Sequence, residues 1–135
     1  GVNGMDRAKA LLFEGRALAV VGEKTYTSDE KGIKALFELA EKKALRGAAV
    51  ADKIVGRAAA LLMAEGKAAE VYAATLSEGG KAVFDAAGVK YAYGVLTKEI
   101  INRRGDGPCP METLSAGVVS GEVMRAKIRA FFADK

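Results

Sequence analysis

The sequence predicts an α/β domain in which helices cover both faces of a mixed β-sheet, a three-layer α/β/α arrangement. Helix-like and strand-like segments alternate along the chain, and the turn at Gly22-Glu23 indicates an early antiparallel hairpin. The 135 residues suit one domain with one core, and half of them are hydrophobic. We therefore treat residues 1–135 as a single domain, and one interpretation of Gly1 to Gly4, which precede Met5, is a tag remnant.

The first third of the chain predicts a helix, a hairpin and a second helix. Met5 to Phe13 carries apolar residues on one side, and Gly15 follows as a helix-ending residue. Arg16 to Val21 and Lys24 to Ser28 predict the two strands of the hairpin. Gly32 to Ala44 has apolar residues at spacings of three and four, which predicts an amphipathic helix.

The centre of the chain predicts a buried helix. Gly47 to Ala51 is a short apolar approach, and Asp52 predicts the N-cap of a helix that runs to about Ala64 and is closed by Gly66. This segment is apolar nearly all round, which is typical of a helix packed between a sheet and other elements.

The second half predicts a parallel strand-helix-strand unit. Ala68 to Leu76 is apolar enough to be a central parallel strand, Ser77 caps a helix that ends at Gly88, and Val89 to Leu96 is the next strand. Such a unit implies a right-handed crossover. The rest predicts a loop, a short helix and a final helix: Gly105 to Pro108, a helix starting at Pro110, and Gly121 to Phe132.

The absence of histidine is the strongest functional exclusion. Without histidine there is no Ser-His-Asp triad, no Cys-His pair and no His-based zinc site. With one cysteine, a thiolate zinc cluster within one chain is also excluded, so we expect no zinc cofactor. Proton transfer would fall to Asp, Glu, Lys, Tyr, the thiol or water.

Composition also limits the classes of binding partner and the cellular compartment that we expect for this protein. Net charge is +4 with basic residues spread along the chain, so we do not expect a nucleic-acid partner. No run reaches the roughly 18 apolar residues that span a bilayer, and the N-terminus lacks a signal-peptide pattern. A single cysteine fits a reducing compartment, and we expect a cytoplasmic protein without a membrane partner. Assembly as a homo-oligomer is left open.

Asp52, Lys53 and Arg57 are the first candidate site residues. Asp52 has the plain alternative of a helix cap. Lys53, in the first turn of the predicted helix, would oppose the helix dipole, and Arg57 lies one turn further on the same stripe. Because two cations on an otherwise apolar helix are a local conflict, we predict a functional role for Lys53 and ligand binding for Arg57.

Cys109 and Glu112 are the second candidates. Pro110 suits the first helical position, which places Cys109 at the cap, where a thiol has a lowered pKa and is more reactive. Glu112 is then placed to reach back to the N–H of the cap residue. The alternative is a rigid turn with a buried, inert thiol.

The third candidates are expected to contact a ligand. Asn102 and Arg103 precede a Gly-Asp-Gly turn, and Arg favours planar anions such as phosphate or carboxylate, although a loop arginine can simply be solvated. Ser77, Asp52 and Cys109 all mark predicted helix starts. In a parallel sheet these starts share one rim at the carboxyl ends of the strands, so we place Ser77 at the same site.

Two motifs carry a resemblance to a known family. Ala51 to Ala60, Ala-Asp-Lys-Ile-Val-Gly-Arg-Ala-Ala-Ala, and Asn-Arg followed by Gly-Pro-Cys-Pro-Met-Glu, ending at Glu112, resemble a small prokaryotic family of unknown function in the cytidine-deaminase-like superfamily. Gly32-Ile33-Lys34 is also similar. The resemblance covers about Leu11 to Phe132 and implies the deaminase fold.

The resemblance does not carry over the deaminase mechanism. True members hold zinc with a His or Cys at the start of one helix and two cysteines at the start of the next, plus a Glu for proton transfer. Here Asp52 replaces the first ligand, and Ile54 stands in the place of the Glu. The Pro-Cys-Pro-Met-Glu segment lacks the last ligand and comes one strand too late, while Ser77-Glu78 has no thiol. Zinc-dependent deamination is not expected.

Three hypotheses of function follow. In the first, Asp52, Lys53, Cys109 and Glu112 form a polar catalytic pocket in which Arg103 binds a small anionic or nucleotide-like ligand. In the second, the same pocket serves a non-catalytic ligand-binding or sensory domain. In the third, the final helix makes the protein a protein- or RNA-interaction module. A Mg²⁺ ion recruited with a phosphate ligand is compatible with the first.

Overall fold

The computed structural model describes residues 3–134, which form six helices and five strands. In chain order they are α1 (Gly4–Phe13), β1 (Leu18–Val21), β2 (Thr25–Ser28), α2 (Lys34–Glu41), β3 (Ala49–Val55), α3 (Arg57–Glu65), β4 (Glu70–Ser77), α4 (Glu78–Ala87), β5 (Lys90–Thr97), α5 (Pro110–Ser115) and α6 (Gly121–Ala133). The tag interpretation of residues 1–4 lies partly outside the described residues. Of that segment, Asn3 caps α1 and Gly4 begins it.

The five strands form one mixed sheet in the order β2-β1-β3-β4-β5. The hairpin β1-β2 is antiparallel, and β1 is also antiparallel to β3. Strands β3, β4 and β5 run parallel to one another. The predicted mixed sheet, led by a hairpin and continued by parallel crossover units, is therefore confirmed.

Helices cover both faces of this sheet because its central strands alternate between two apolar clusters. Val20 and Val50 belong to the larger cluster, which includes the apolar sides of α2, α3, α4 and α6. Their neighbours Ala19 and Ala51 belong to a smaller cluster completed by Met5, Ala8 and Leu12 of α1. Small alanines on this second face let α1 approach the strands closely.

The helix predicted from Asp52 to Ala64 is wrong in its first third. Asp52 lies inside β3, and α3 begins only at Arg57, with Gly56 as its N-cap. Residues 49–55 form backbone ladders with β1 on one side and β4 on the other. Two ladders satisfy the backbone of this segment more completely than one helical turn would, so the pairing of neighbouring strands overrides the capping preference of Asp52.

The second helix is shorter than predicted. Gly32 to Ala44 was expected, whereas α2 runs from Lys34 to Glu41 without a side-chain cap at Ile33. The chain leaves the helix at Lys43, which has a positive φ of 61°, and Leu45 turns fully into the core. The other predicted helices and strands agree with the structure to within about three residues.

The last helix, α6, is held in the fold by ion pairs as well as by its apolar face. Met124 and Ile128 are fully buried. Arg125 pairs with Glu41 of α2 and Glu65 of α3, both at 2.8 Å, and Arg129 pairs with Glu41 at 2.7 Å. These cations are engaged within the fold, which favours a packing role for α6 over the interaction-module hypothesis. No helix in residues 3–134 has the length and apolar character needed to cross a membrane.

Candidate functional site

A pocket of about 540 Å³ lies at the carboxyl end of β3, under the start of α3. Six parts of the chain form its walls: Ala17 before β1, residues 30–33 before α2, 52–54 with Gly56 at the end of β3, 58–59 in α3, 100–104 after β5, and 108–112 at the start of α5. Segments distant in sequence therefore meet where parallel α/β sheets commonly hold ligands.

Six of the eight predicted site residues line this pocket: Asp52, Lys53, Asn102, Arg103, Cys109 and Glu112. Arg57 and Ser77 do not line it. The Nε atom of Arg57 donates to the carbonyl oxygen of Val118 at 3.1 Å, and this contact ties α3 to the segment before α6. Ser77 is fully buried as the N-cap of α4, where its Oγ accepts from the N–H of Gly80 at 2.9 Å. The predicted capping role of Ser77 is confirmed.

Asp52 is the acid at the base of the pocket. It occupies the same side of β3 as the core residue Val50, and its Oδ1 accepts weakly from the N–H of Ile54 at 3.4 Å. Burial disfavours the charged carboxylate and raises the pKa of Asp52 to about 7, although the N–H groups of Ile54 and Lys53 partly oppose the shift. A carboxyl group with this pKa is half protonated near neutral pH, so it can both donate and accept a proton.

Lys53 does not lie in the first turn of a helix, which was the reason for predicting that it has a function. Because it belongs to a strand, it opposes no helix dipole, and that argument for function is wrong. Its N–H donates to the carbonyl oxygen of Ala17 at 3.0 Å. Lys53 and Asp52 both line the pocket. Lys53 therefore remains a pocket residue, but without the helix-dipole argument to support a role for it.

Glu112 makes a different contact from the predicted capping box. Its Oε2 accepts from the N–H of Ile100 at 2.9 Å, not from the N–H of Cys109. Its Oε1 lies so close to Gly56 that a Cβ added there would be 2.9 Å from it. Gly56 caps α3, whose positive end favours a nearby carboxylate. Glu112 therefore fastens the segment after β5 to the start of α3.

Cys109 does occupy the N-cap position of α5, with Pro110 following it, as predicted. The side chain makes no capping hydrogen bond, and the residue is half-buried in the pocket wall. Its N–H donates to the carbonyl oxygen of Ile100 at 2.9 Å. Cys109 and Glu112 thus hold the two sides of the same backbone position from one short helix.

Asn102 shapes the loop that carries Arg103. The Asn102 side chain accepts from the N–H of Gly105 at 2.8 Å and donates to Asp106 at 2.9 Å, so its polar atoms are used within the loop. Arg104 forms an exposed ion pair with Asp106 at 3.6 Å. Arg103 has neither a hydrogen bond nor an ion pair with any residue in the range 3–134, and it faces the pocket as an exposed cation.

Sequence reasoning missed one wall of the pocket. Lys31, Gly32 and Ile33, which precede α2, also line it. Gly32 has a positive φ of 103°, which turns the chain toward the pocket. The similarity of Gly32-Ile33-Lys34 to the family motif was the available signal, but these residues carry no group that suggests chemistry by itself.

The acidic and thiol side chains of the pocket do not form a metal centre. Within residues 3–134, no three His, Cys, Asp or Glu side chains come close enough together to hold an ion. The donor set that zinc-dependent deaminases use is therefore not assembled from these residues.

The fold and the pocket define an α/β protein with a mixed five-stranded sheet and a cleft at the carboxyl end of its central strand. The sequence model of a domain of unknown function, DUF1893 (TM1506), matches residues 8–132, and the chain belongs to this family. A crystal structure of a DUF1893 family protein (TM1506) from Thermotoga maritima has a similar fold. Its TM-score is 0.85 at 22% sequence identity, over 96% of this chain and 91% of the other. No curated protein matches the sequence.

The burial of Asp52 predicts a pH-dependent stability. Below about pH 4 both the folded and unfolded chains carry a protonated Asp52. Between pH 4 and 7 the unfolded chain ionises while the folded one does not, so Asp52 lowers the free energy of unfolding as pH rises. Asp52→Asn, which is always neutral, should gain stability relative to the parent across this range and level off above pH 7.

The gain should be at most about 4 kcal/mol, the free-energy equivalent of three pKa units, and smaller because Asp52 keeps some contact with solvent. Urea unfolding from pH 4 to 8 measures it. Glu30→Gln, at an exposed acid of the same pocket, is the control and should show little pH dependence. If the free energies of unfolding of the two variants depended on pH in the same way, the burial of Asp52 would be contradicted.

The Glu112 contact predicts a local loosening of the pocket wall. Glu112→Ala removes the acceptor for the Ile100 N–H, and hydrogen exchange of that amide should accelerate at least about 5-fold, since a lost hydrogen bond costs about 1–3 kcal/mol. Glu112→Gln keeps an acceptor oxygen and should restore most of the protection. Glu99→Ala, at an exposed neighbour, is the matched control. Equal exchange rates in all three variants would mean that Glu112 does not hold Ile100.

Proposed function

We propose that this protein binds a small anionic ligand of nucleotide-like size in the pocket at the carboxyl end of β3. The volume of about 540 Å³ lies in the range of small-molecule sites, roughly 300–1,000 Å³. The observation that carries the proposal is that basic side chains with no ion pair to any residue in the range 3–134 line the same pocket as an acid that is half neutral at pH 7. Lys31 and Arg103 are both exposed, and both line the pocket that contains Asp52.

The charges of the pocket favour an anion because two of its three acids, Asp52 and Glu112, are largely compensated, and the third, Glu30, is exposed to water. Glu112 accepts the Ile100 N–H and lies at the positive end of α3. Asp52 carries only part of a charge near neutral pH. The planar guanidinium of Arg103 presents several N–H donors with a geometry that suits a carboxylate or phosphate. Because Arg103 lies on an exposed loop, its side chain can change position to contact the ligand. We therefore assign anion binding to Arg103 and Lys31, and not to a helix N-terminus.

In the catalytic form of the proposal, Asp52 is the general acid or base. Its carboxyl group lies within the pocket and can exchange a proton with a ligand atom at neutral pH. Cys109, half-buried in the same wall, would be the nucleophile if the reaction has a covalent step. Lys53 becomes the weaker candidate for proton transfer because it lies in a strand, so the helix-dipole argument for its role does not hold. The alternative is a non-catalytic sensory domain that uses the same contacts.

We also propose that the fold is related to the cytidine-deaminase-like superfamily. In support, β3 and β4 run directly into helices on the same side of the sheet, which is where the resemblance would place zinc ligands. Zinc-dependent deamination is not part of the proposal, because Ser77-Glu78 at the second helix start supplies no thiol and the chain has no histidine. Mg²⁺ carried by a phosphate ligand is compatible with the pocket.

Ligand binding can be tested with inorganic phosphate and nucleoside monophosphates, titrated with and without Mg²⁺ and followed by backbone NMR shifts. Residues 30–33, 52–56 and 100–104 should shift. Arg103→Ala should weaken binding about 10- to 100-fold, the loss of a charged hydrogen bond worth roughly 1.5–3 kcal/mol. Arg46→Ala, an exposed arginine outside the pocket, is the matched control, and Lys53→Ala should have a smaller effect than Arg103→Ala.

Native mass spectrometry of the purified protein, with a denatured control, adds the search for a copurified molecule. If the parent protein converts the bound compound to a product of different mass and Asp52→Asn does not, the result would support the enzyme. If the compound binds and its mass stays the same, the result would support the sensory domain. The absence of pocket shifts at millimolar phosphate and nucleotide, or equal losses in Arg103→Ala and Arg46→Ala, would overturn the proposal.

A further inference from the structure

The walls of the pocket at the carboxyl end of β3 are mostly aliphatic. Four isoleucines and one methionine line it: Ile33, Ile54, Ile100, Ile101 and Met111. Ile54 and Ile101 are each 48% exposed, so a large part of their apolar surface is in contact with water. Exposed apolar surface within a cleft commonly marks a place where an apolar group of a ligand binds.

Buried alanines add to these apolar walls. Ala17, Ala58 and Ala59 line the pocket and are buried, and their side chains offer no hydrogen-bonding group. Asp52, at the base of the pocket, has a pKa of about 7 and carries only part of a charge near neutral pH. The buried part of the pocket therefore suits an apolar group better than a second charged one, which would lose its hydration there.

The lining offers little that would recognise a nucleobase. No Phe or Tyr within residues 3–134 lines the pocket, and the chain has no Trp. Proteins commonly hold bases by stacking them on aromatic rings. The amide of Asn102 is bonded within its own loop, to Gly105 and Asp106. An aliphatic group needs neither a stacking partner nor a free amide.

The cations of the lining can hold an anionic group. Lys31 and Arg103 are exposed, and Lys53 is half-buried. None of the three forms an ion pair with any residue in the range 3–134. Of the acids, Glu30 is exposed to water and Glu112 already accepts a backbone N–H. The pocket thus combines cations that have no partner carboxylate with walls that are aliphatic.

We propose that the ligand of this pocket is an amphipathic anion, with one carboxylate or phosphate head and an unbranched aliphatic body. The inference rests on the proposed anion site and names the class of anion that it binds. The head would pair with Arg103 or Lys31, which lie nearest to solvent, and the chain would cover Ile54 and Ile101. Removing the chain and these isoleucines from water stabilises the complex, while the single charged head sets its orientation.

The test compares ligands that share one head and differ in the body. Inorganic phosphate, adenosine monophosphate, and butyl, hexyl and octyl phosphate are titrated into the full chain and followed by backbone NMR shifts. Affinity should rise about 4-fold for each methylene that leaves water, or about 15-fold for each pair. Octyl phosphate should therefore bind far more tightly than adenosine monophosphate, which should bind about as weakly as phosphate. Carboxylates of the same chain lengths show which head is preferred.

A variant in the apolar wall separates the chain contact from the charge contact. Ile101→Ser removes apolar surface from the pocket and should reduce the preference for octyl over butyl phosphate about 3- to 10-fold. Val119→Ser is the matched control, because Val119 is 84% exposed and lies outside the pocket, and it should keep the preference of the parent chain. Circular dichroism checks that both variants are folded.

The outcomes distinguish this inference from the anion site on which it rests. If no probe shifts the pocket residues, both proposals are overturned. If phosphate binds but affinity does not rise with chain length in either series, only the amphipathic ligand is overturned. Tighter binding of adenosine monophosphate than of octyl phosphate would also overturn it. So would equal chain-length preferences in Ile101→Ser and Val119→Ser.

Discussion

The pocket depends on how closely three segments approach Gly56. A Cβ at this position would lie 2.9 Å from the Glu112 Oε1 atom and 3.1 Å from Ile100, so any larger residue would push the wall of the pocket outward. From the other side, Gly80 of α4 comes so near that its own Cβ would lie 3.2 Å from the Gly56 carbonyl oxygen. Two glycines thus let β3, α4 and the segment after β5 meet at the start of α3.

This junction also sets the electrostatics of the pocket. Glu112 is held at the positive end of α3 and accepts a backbone N–H, so its charge is used to hold the wall in place. At Asp52 the loss of water outweighs the hydrogen bonds from the N–H groups of Ile54 and Lys53, and its pKa rises to about 7. Two carboxyl groups in one pocket therefore differ: Glu112 positions the wall, and Asp52 has the near-neutral pKa on which its proposed acid–base role rests. The exposed Arg103, on the segment that Glu112 holds, is the cation of the proposed anion site.

Much of the fold was predictable from the sequence because many element boundaries depend on a few neighbouring residues. The hairpin at Gly22-Glu23, the Ser77 cap and the Cys109-Pro110 helix start are signals carried by a few adjacent residues, and the structure has all three. The β3 strand was missed because Asp52 is a good helix cap and the apolar residues after it continue into a real helix. Only its pairing with two neighbouring strands makes this segment a strand and not a helix.

The partners of the site residues were harder to predict than their positions. Glu112 was expected to bond to its own helix, but a carboxylate also bonds to any N–H that the fold brings within reach, and Ile100 lies 12 residues away. The role of Lys53 was argued from a helix that does not include it. Burial of the Asp52 carboxyl is likewise a property of the assembled walls and has no signature within the segment itself.

The most direct test of this account is an NMR titration of the Asp52 carboxyl carbon in the parent protein, with Asp52→Asn used to assign the signal. The account predicts a pKa near 7, because the assembled pocket walls remove water from this carboxyl. A pKa near 4, the ordinary value of an exposed aspartate, would contradict it. Such a value would mean that the walls do not close over Asp52, and the proposed acid–base role would be lost with it.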